Sequence, residues 1–257
     1  MNTTKRSRTI AICGKGGVGK TSITALMVKT LAKRDDRKIL AIDADPAIGL
    51  ATALGVEVKR TLDDIRNELI ARIKKGEKYD KSNIVDMLDY EVFDALAEGS
   101  RFALLAIGRP ETEGCYCQIN SFLKDIIGSL SQKFDVVLID GEAGVEQINR
   151  RVMKTVDDLV LVSDTSAKGI NVVSTIKHVA YDNKAVACQR VGLVLNRVRS
   201  EEEVSKILGR TSIELLGWIP EDDYIREYDF DGIPLIDLPD TSPSNRVVKH
   251  IMESLAI

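Results

Sequence analysis

The 257-residue chain is poor in cysteine and histidine, carries little excess charge and has no long apolar run. Each shortage removes a class of protein. Four cysteines in a chain of this length, 44% hydrophobic and able to bury its own core, do not make a disulfide scaffold. They leave metal ligation, redox chemistry or burial as small hydrophobes. The two histidines, His178 and His250, lie in helical patterns remote in sequence from Cys115 and Cys117 and are expected to be structural or solvent-facing. A formal charge of -3 and a pI near 5.6 give no footprint for nucleic acid or anionic lipid, although the start, MNTTKRSR, is locally basic. No segment approaches the roughly 18 apolar residues of a membrane span, and no apolar core precedes a cleavage site at the N-terminus. These features lead us to expect a cytoplasmic protein with neither nucleic acid nor membrane as partner. With no repeat, low-complexity segment or linker, the expectation is one domain over residues 1–257.

What is present is an alternation. Short apolar runs at 9–13, 38–42, 102–107, 134–139, 158–162, 191–195 and 215–219 lack the polar alternation of half-exposed strands and suit strands buried on both faces. Between them, 21–33, 170–181 and 201–208 carry helical periodicity, and 61–75 opens with a capping-box pair, Thr61 and Asp64. The βαβα order predicts an α/β fold with a doubly wound, mostly parallel sheet, whose ligands sit at the carboxyl ends of the strands. At 245–256, Val247, Val248, Ile251, Met252 and Leu255 share one helical face. Its polar side is only weakly basic, so packing on its own domain is expected rather than membrane targeting.

The first run leads into Gly14-Lys15-Gly16-Gly17-Val18-Gly19-Lys20-Thr21-Ser22. Gly14, Gly19, Lys20 and Thr21 fit G-x-x-x-x-G-K-[ST], in which glycines let backbone N–H groups face phosphates, the lysine meets the β/γ oxygens and the threonine holds Mg²⁺. The same residues satisfy G-x-G-x-x-G, and Asp43 follows the second strand, so a dinucleotide site is a rival. Lys20-Thr21 and a second acid-tipped strand, Val136-Val137-Leu138-Ile139-Asp140, decide for a nucleoside triphosphate, since Asp140 beside such a loop is an outer ligand for Mg²⁺ that hydride transfer does not need.

Lys15, a second lysine inside the glycine turn, makes the loop similar to the deviant Walker A loop of the MinD/ParA group of P-loop ATPases. The resemblance runs through most of the chain and implies an ATP hydrolase. It implies that Lys15 reaches across a homodimer to the partner's nucleotide. It also implies that Asp43-Ala44-Asp45-Pro46 is switch I, with Asp43 near the Mg²⁺ waters and Asp45 orienting or deprotonating the attacking water. Asp140-Gly141-Glu142-Ala143-Gly144 corresponds to switch II, Gly144 approaching the γ-phosphate. Asn196 and Arg197, with Pro220, Glu221 and Asp222, fall where the group binds adenine, Asn196 through its amide; ordinary loop capping is the alternative for both stretches. Read without the resemblance, Asp43 to Pro46 is also a plain strand-ending turn.

Cys115 and Cys117, in GRPETEGCYC, place two thiols one residue apart, half of a tetrahedral thiolate shell. A two-fold dimer would supply the other half, making a shared site for Ni²⁺ or Zn²⁺. A deviant P-loop with a central C-x-C resembles the CooC-type accessory ATPases, which implies nickel insertion into a client metalloenzyme, carbon monoxide dehydrogenase or acetyl-CoA synthase. A buried turn, a redox disulfide, a MinD/ParA-type positioning ATPase and a reductase with a bridging iron–sulfur cluster remain alternatives. Cys13 and Cys188 are expected to pack as small hydrophobes.

Overall fold

The computed structural model describes residues 6–34, 36–77, 81–109, 117–141, 152, 155–182 and 187–257. All seven expected strands form, with ends shifted by a few residues: β1 (Arg8–Gly14), β2 (Ile39–Asp43), β4 (Phe102–Ala106), β5 (Val136–Asp140), β6 (Thr155–Ser163), β7 (Ala187–Val198) and β8 (Glu214–Pro220). An eighth, the two-residue β3 (Ala97–Glu98), was not expected, being too short to carry a pattern. They make one sheet in the order β3-β4-β2-β5-β1-β6-β7-β8, parallel throughout except for β3 against β4.

Alternation along each strand divides the core in two. Ile10 and Ile12 of β1 face the layer containing the helices Lys20–Ala32 and Pro243–Ser254, while Ala11 and Cys13 face the layer containing Leu62–Lys74, Cys117–Ser131 and Ala167–Lys177. Cys13 is fully buried, and burial first of all pushes its thiol up to about 12, so it behaves as a small hydrophobe as expected.

Local chemistry sets the helix starts. The capping box at Thr61 and Asp64 is formed in both directions: the Asp64 carboxylate accepts from the Thr61 N–H at 2.8 Å and the Thr61 hydroxyl from the Asp64 N–H at 3.2 Å. The helix expected over 170–181 begins earlier, at Ala167, because the Ser166 hydroxyl caps Gly169 N–H at 3.0 Å, and it passes into a π-helical turn at His178–Asp182. On the C-terminal helix, Val248, Ile251, Met252 and Leu255 are buried against the chain's own core, as their stripe predicts. Among the described residues no helix is long and apolar enough to cross a membrane.

Candidate nucleotide site

The strand order reverses around β1, and the carboxyl ends of β1, β2 and β5 open on one edge of the sheet. Gly14, φ 155°, ends β1 so close to β6 that a Cβ there would lie 2.1 Å from the Val162 carbonyl oxygen. Gly17 and Gly19, φ 79° and 93°, carry the loop through left-handed conformations to the helix Lys20–Ala32. Gly19 is the N-cap and offers no side-chain acceptor, so no cap competes with an anion for the first-turn N–H groups. The Lys20 side chain is largely buried under the loop, its Nζ 3.4 Å from the Lys15 carbonyl oxygen. Gly16 and Gly17 are exposed, and Val18 is buried.

Behind the loop stand two buried carboxylates. Asp43, at the end of β2, and Asp140, at the end of β5, are register partners and are 0% and 1% exposed. Asp140 accepts from the Thr21 hydroxyl at 2.6 Å; the Thr24 hydroxyl, which donates to the Lys20 carbonyl at 2.9 Å, lies 3.4 Å away. Asp43 accepts from the N–H groups of Leu50 at 2.9 Å and Asp45 at 3.1 Å. Burial dominates both. It drives the Asp43 carboxyl up to about 6 against those backbone donors, and the Asp140 carboxyl up to about 7 against the Thr21 hydrogen bond, with the Asp43 charge adding to the rise. One hydroxyl and two carboxylates with raised proton affinity fit a hard cation that retains water and takes phosphate oxygens as its other ligands. Asp45, half-buried, stands at the rim and accepts from the Ala47 N–H at 2.9 Å.

The residues expected around the base also gather. Asn196, Arg197, Pro220, Glu221 and Asp222 line a groove of about 350 Å³ that reaches Gly19 and Ser22 of the loop. Asp222 is occupied structurally. Its carboxylate accepts from Tyr224 N–H at 3.1 Å, Ser242 Oγ at 2.5 Å and Ser244 N–H at 2.9 Å, tying the helix Asp223–Asp231 to the C-terminal one. Burial raises this carboxyl, but those hydrogen bonds outweigh it and leave the pKa lowered. Glu221 pairs with Arg199 at 3.2 Å.

Two contacts escaped sequence reasoning. Lys15 Nζ lies 3.8 Å from Asp164, the residue after β6, and Asn196 Nδ2 donates to the Val18 carbonyl at 2.7 Å. The first was legible as an acid at the carboxyl end of a strand beside β1, whereas the second joins residues 178 apart and left no local signal. Cys115 and Gly144 lie outside the described residues. Cys117 opens the helix Cys117–Ser131, and its side chain lies outside them too. Among the described residues no group of three or more His, Cys, Asp or Glu could hold a metal.

Comparison with known proteins agrees with the arrangement. The model of the CobQ/CobB/MinD/ParA nucleotide binding domain matches residues 9–235. An uncharacterized ATP-binding protein of Methanocaldococcus jannaschii is 38% identical, over 96% of this chain and 97% of its own. The carbon monoxide dehydrogenase accessory protein CooC of Rhodospirillum rubrum is 30% identical, over 95% of this chain and 94% of its own. Among solved structures, the septum site-determining protein MinD of Pyrococcus horikoshii, complexed with Mg-ADP, superposes with a TM-score of 0.70 at 24% identity, covering 97% of this chain and 96% of that one. The chain belongs to the CobQ/CobB/MinD/ParA nucleotide-binding family and is an ATPase of the MinD/ParA class.

Proposed function

We propose that the chain is one Mg-ATP-driven ATPase domain that dimerises and carries nickel, or zinc in its place, on Cys115 and Cys117 for insertion into a metalloenzyme, carbon monoxide dehydrogenase or acetyl-CoA synthase. Near full-length similarity to the Rhodospirillum rubrum carbon monoxide dehydrogenase accessory protein supports the client. The observation that carries the reading is where the C-x-C segment is anchored. It follows β4, whose last residue, Ala106, is the register partner of Asp43, and the next residue, Ile107, donates its N–H to the Asp43 carbonyl at 2.9 Å. The Ile107 carbonyl in turn accepts from Asp63 N–H at 2.9 Å. The chain that leads from β4 toward the helix Cys117–Ser131 therefore leaves the sheet at a residue hydrogen-bonded to Asp43, which ties its start to the phosphate end of the site.

In this reading Lys20 meets the β- and γ-phosphates, and the Gly14, Gly16, Gly17 and Gly19 turns with Val18 and Ser22 cradle them. Thr21, Asp43 and Asp140 hold Mg²⁺, which when bound neutralises charge on the phosphate oxygens. Asp45 orients a water whose oxygen attacks the γ-phosphorus while the bond to the β-bridging oxygen breaks; the proton of that water passes to the carboxylate and ADP departs. Lys15 from the partner copy stabilises the transferring group, and Gly144 approaches it. Asn196, Arg197, Pro220, Glu221 and Asp222 surround the base. Burial of the C-terminal apolar stripe in the core leaves that helix no apolar face for lipid, which counts against a membrane-positioning role.

Nickel and zinc titrations of the reduced protein, run with light scattering, test the carrier. One metal per two chains is expected, tightened by ATP, because four thiolates from two copies complete a tetrahedron and whatever favours the dimer favours the metal. Cys115→Ser and Cys117→Ser should abolish tight binding and leave ATP binding in place. One metal per chain, or tight binding that outlasts both thiols, rules out the bridged site.

A further inference from the structure

We propose that Asn196 is a positioning residue of the phosphate loop: it sets the orientation of the Val18–Gly19 peptide, so that phosphate affinity as well as base recognition depends on it.

The side chain of Asn196 projects from β7 and is only 9% exposed. Both ends of its amide are engaged. Nδ2 donates to the Val18 carbonyl at 2.7 Å, and Oδ1 accepts from Arg197 N–H at 3.0 Å. The second bond holds Arg197 in the left-handed region, φ 57°, which a residue with a side chain seldom enters without a local tether. The first reaches across the sheet to the loop. Contact there is close enough to constrain both partners, since a Cβ on Gly19 would lie 2.4 Å from Asn196 Nδ2. Gly19 thus answers two demands, its φ of 93° and the space filled by the Asn196 amide.

The consequence follows from peptide geometry. In a planar trans unit the carbonyl and the following N–H point in opposite directions. Fixing the Val18 carbonyl toward β7 therefore turns the Gly19 N–H the other way. A glycine-rich turn has more than one accessible orientation for such a unit, because its glycines tolerate both signs of φ. Selecting one before ligand arrives lowers the ordering cost of binding. Asn196 has one amide hydrogen left over, so bracing the loop and touching a base do not compete.

Splitting the nucleotide tests this. Mg-tripolyphosphate and adenosine are each titrated by calorimetry into wild type and Asn196→Ala, with thermal unfolding to show that the variant is fully folded at the working temperature. Loss of the buried hydrogen bond should weaken tripolyphosphate by about tenfold. A purely packing role predicts no change in tripolyphosphate once the variant is shown to be folded. Unchanged tripolyphosphate affinity, with or without loss of adenosine binding, overturns the proposal. Should Asn196→Ala lack a native transition, Asn196→Ser, whose hydroxyl is too short to reach the Val18 carbonyl, carries the same expectation. The proposal rests on the ATPase and not on the metal carrier, so failure of nickel binding leaves it standing.

Discussion

The two ends of the nucleotide site are built in opposite ways. At the phosphate end, Lys20, Asp43 and Asp140 are nearly or fully buried, on or directly beside central strands whose register locks the two carboxylates side by side. At the base end, β7 and β8 pair with register shifts, and the helix Asp223–Asp231 over the groove buries none of its residues. The phosphate end is held by burial that charged groups resist, so its electrostatics are poised for a cation and an anion. Hydrogen bonds of Asp222 hold the base end, and the exposed side chains of the helix Asp223–Asp231 can change with modest effect on the fold. Chemistry belongs to the rigid end and selection to the soft one.

The sharpest break of this contrast is Asp45→Ala. Asp45 stands at the rim of the rigid end, where its carboxylate is free enough to meet water. Turnover should fall by about a hundredfold or more, roughly 3 kcal/mol of barrier, while Mg-ATP affinity changes little. Single-turnover hydrolysis with calorimetric binding separates the two, and full turnover in Asp45→Ala would assign the water to another group.

The second prediction uses protons to probe the same end. Folded-state values of about 6 for Asp43 and about 7 for Asp140 lie above the ordinary 3.8, so the folded, nucleotide-free protein binds more protons than the unfolded chain between those limits. Stability from these groups is therefore fully present at low pH and is lost as pH rises from about 4 to about 7. Mg²⁺ competes with the same protons, so its affinity should rise through that window by up to about tenfold per pH unit for each proton displaced. Asp140→Asn, which can still accept from Thr21, should flatten both profiles. Chemical denaturation across pH, with and without Mg²⁺, measures the first, and a slope unchanged in Asp140→Asn would place the titration elsewhere.

The same contrast explains what could be read from the sequence. Strands buried on both faces announce themselves as unbroken apolar runs, and acids at their ends stand out against that background, so Asp43 and Asp140 were legible with Gly14 to Ser22. At the soft end, positions 196, 197 and 220–222 were placed by family resemblance and do gather in one groove, but the tie between Asp222 and the C-terminal helix runs through Ser242 and Ser244, twenty and more residues away. The helix Asp223–Asp231 carries no buried stripe and so no periodic signal. The early start at Ala167 was hidden because a serine cap reads like any loop serine until its partner N–H is known.

The last effect concerns Lys15, which lies in the phosphate loop but whose side chain is turned to Asp164. Its ammonium sits 3.8 Å from Asp164, each side chain about one-third exposed. Asp164 is held firmly. Its other carboxylate oxygen accepts from Ser166 N–H at 3.2 Å and Ser166 Oγ at 2.5 Å, and a Cβ on Gly169 would come within 2.3 Å of it. If Lys15 acts on the partner's phosphates, each protomer must release this pair when the dimer closes. An exposed ion pair restrains that release by no more than about fivefold, and two are broken per dimer, so removing both should tighten ATP-dependent dimerisation by up to about 25-fold. Asp164→Asn keeps a group able to accept from Ser166 while removing the charge. Sedimentation in ATP, with Asp45→Ala present in every variant to prevent turnover, should show tighter dimers for Asp164→Asn, monomers for Lys15→Ala, and equal ATP affinity in all the monomers. Weaker dimers in Asp164→Asn would show instead that Asp164 supports the interface and that its contact with Lys15 does not hold the lysine back.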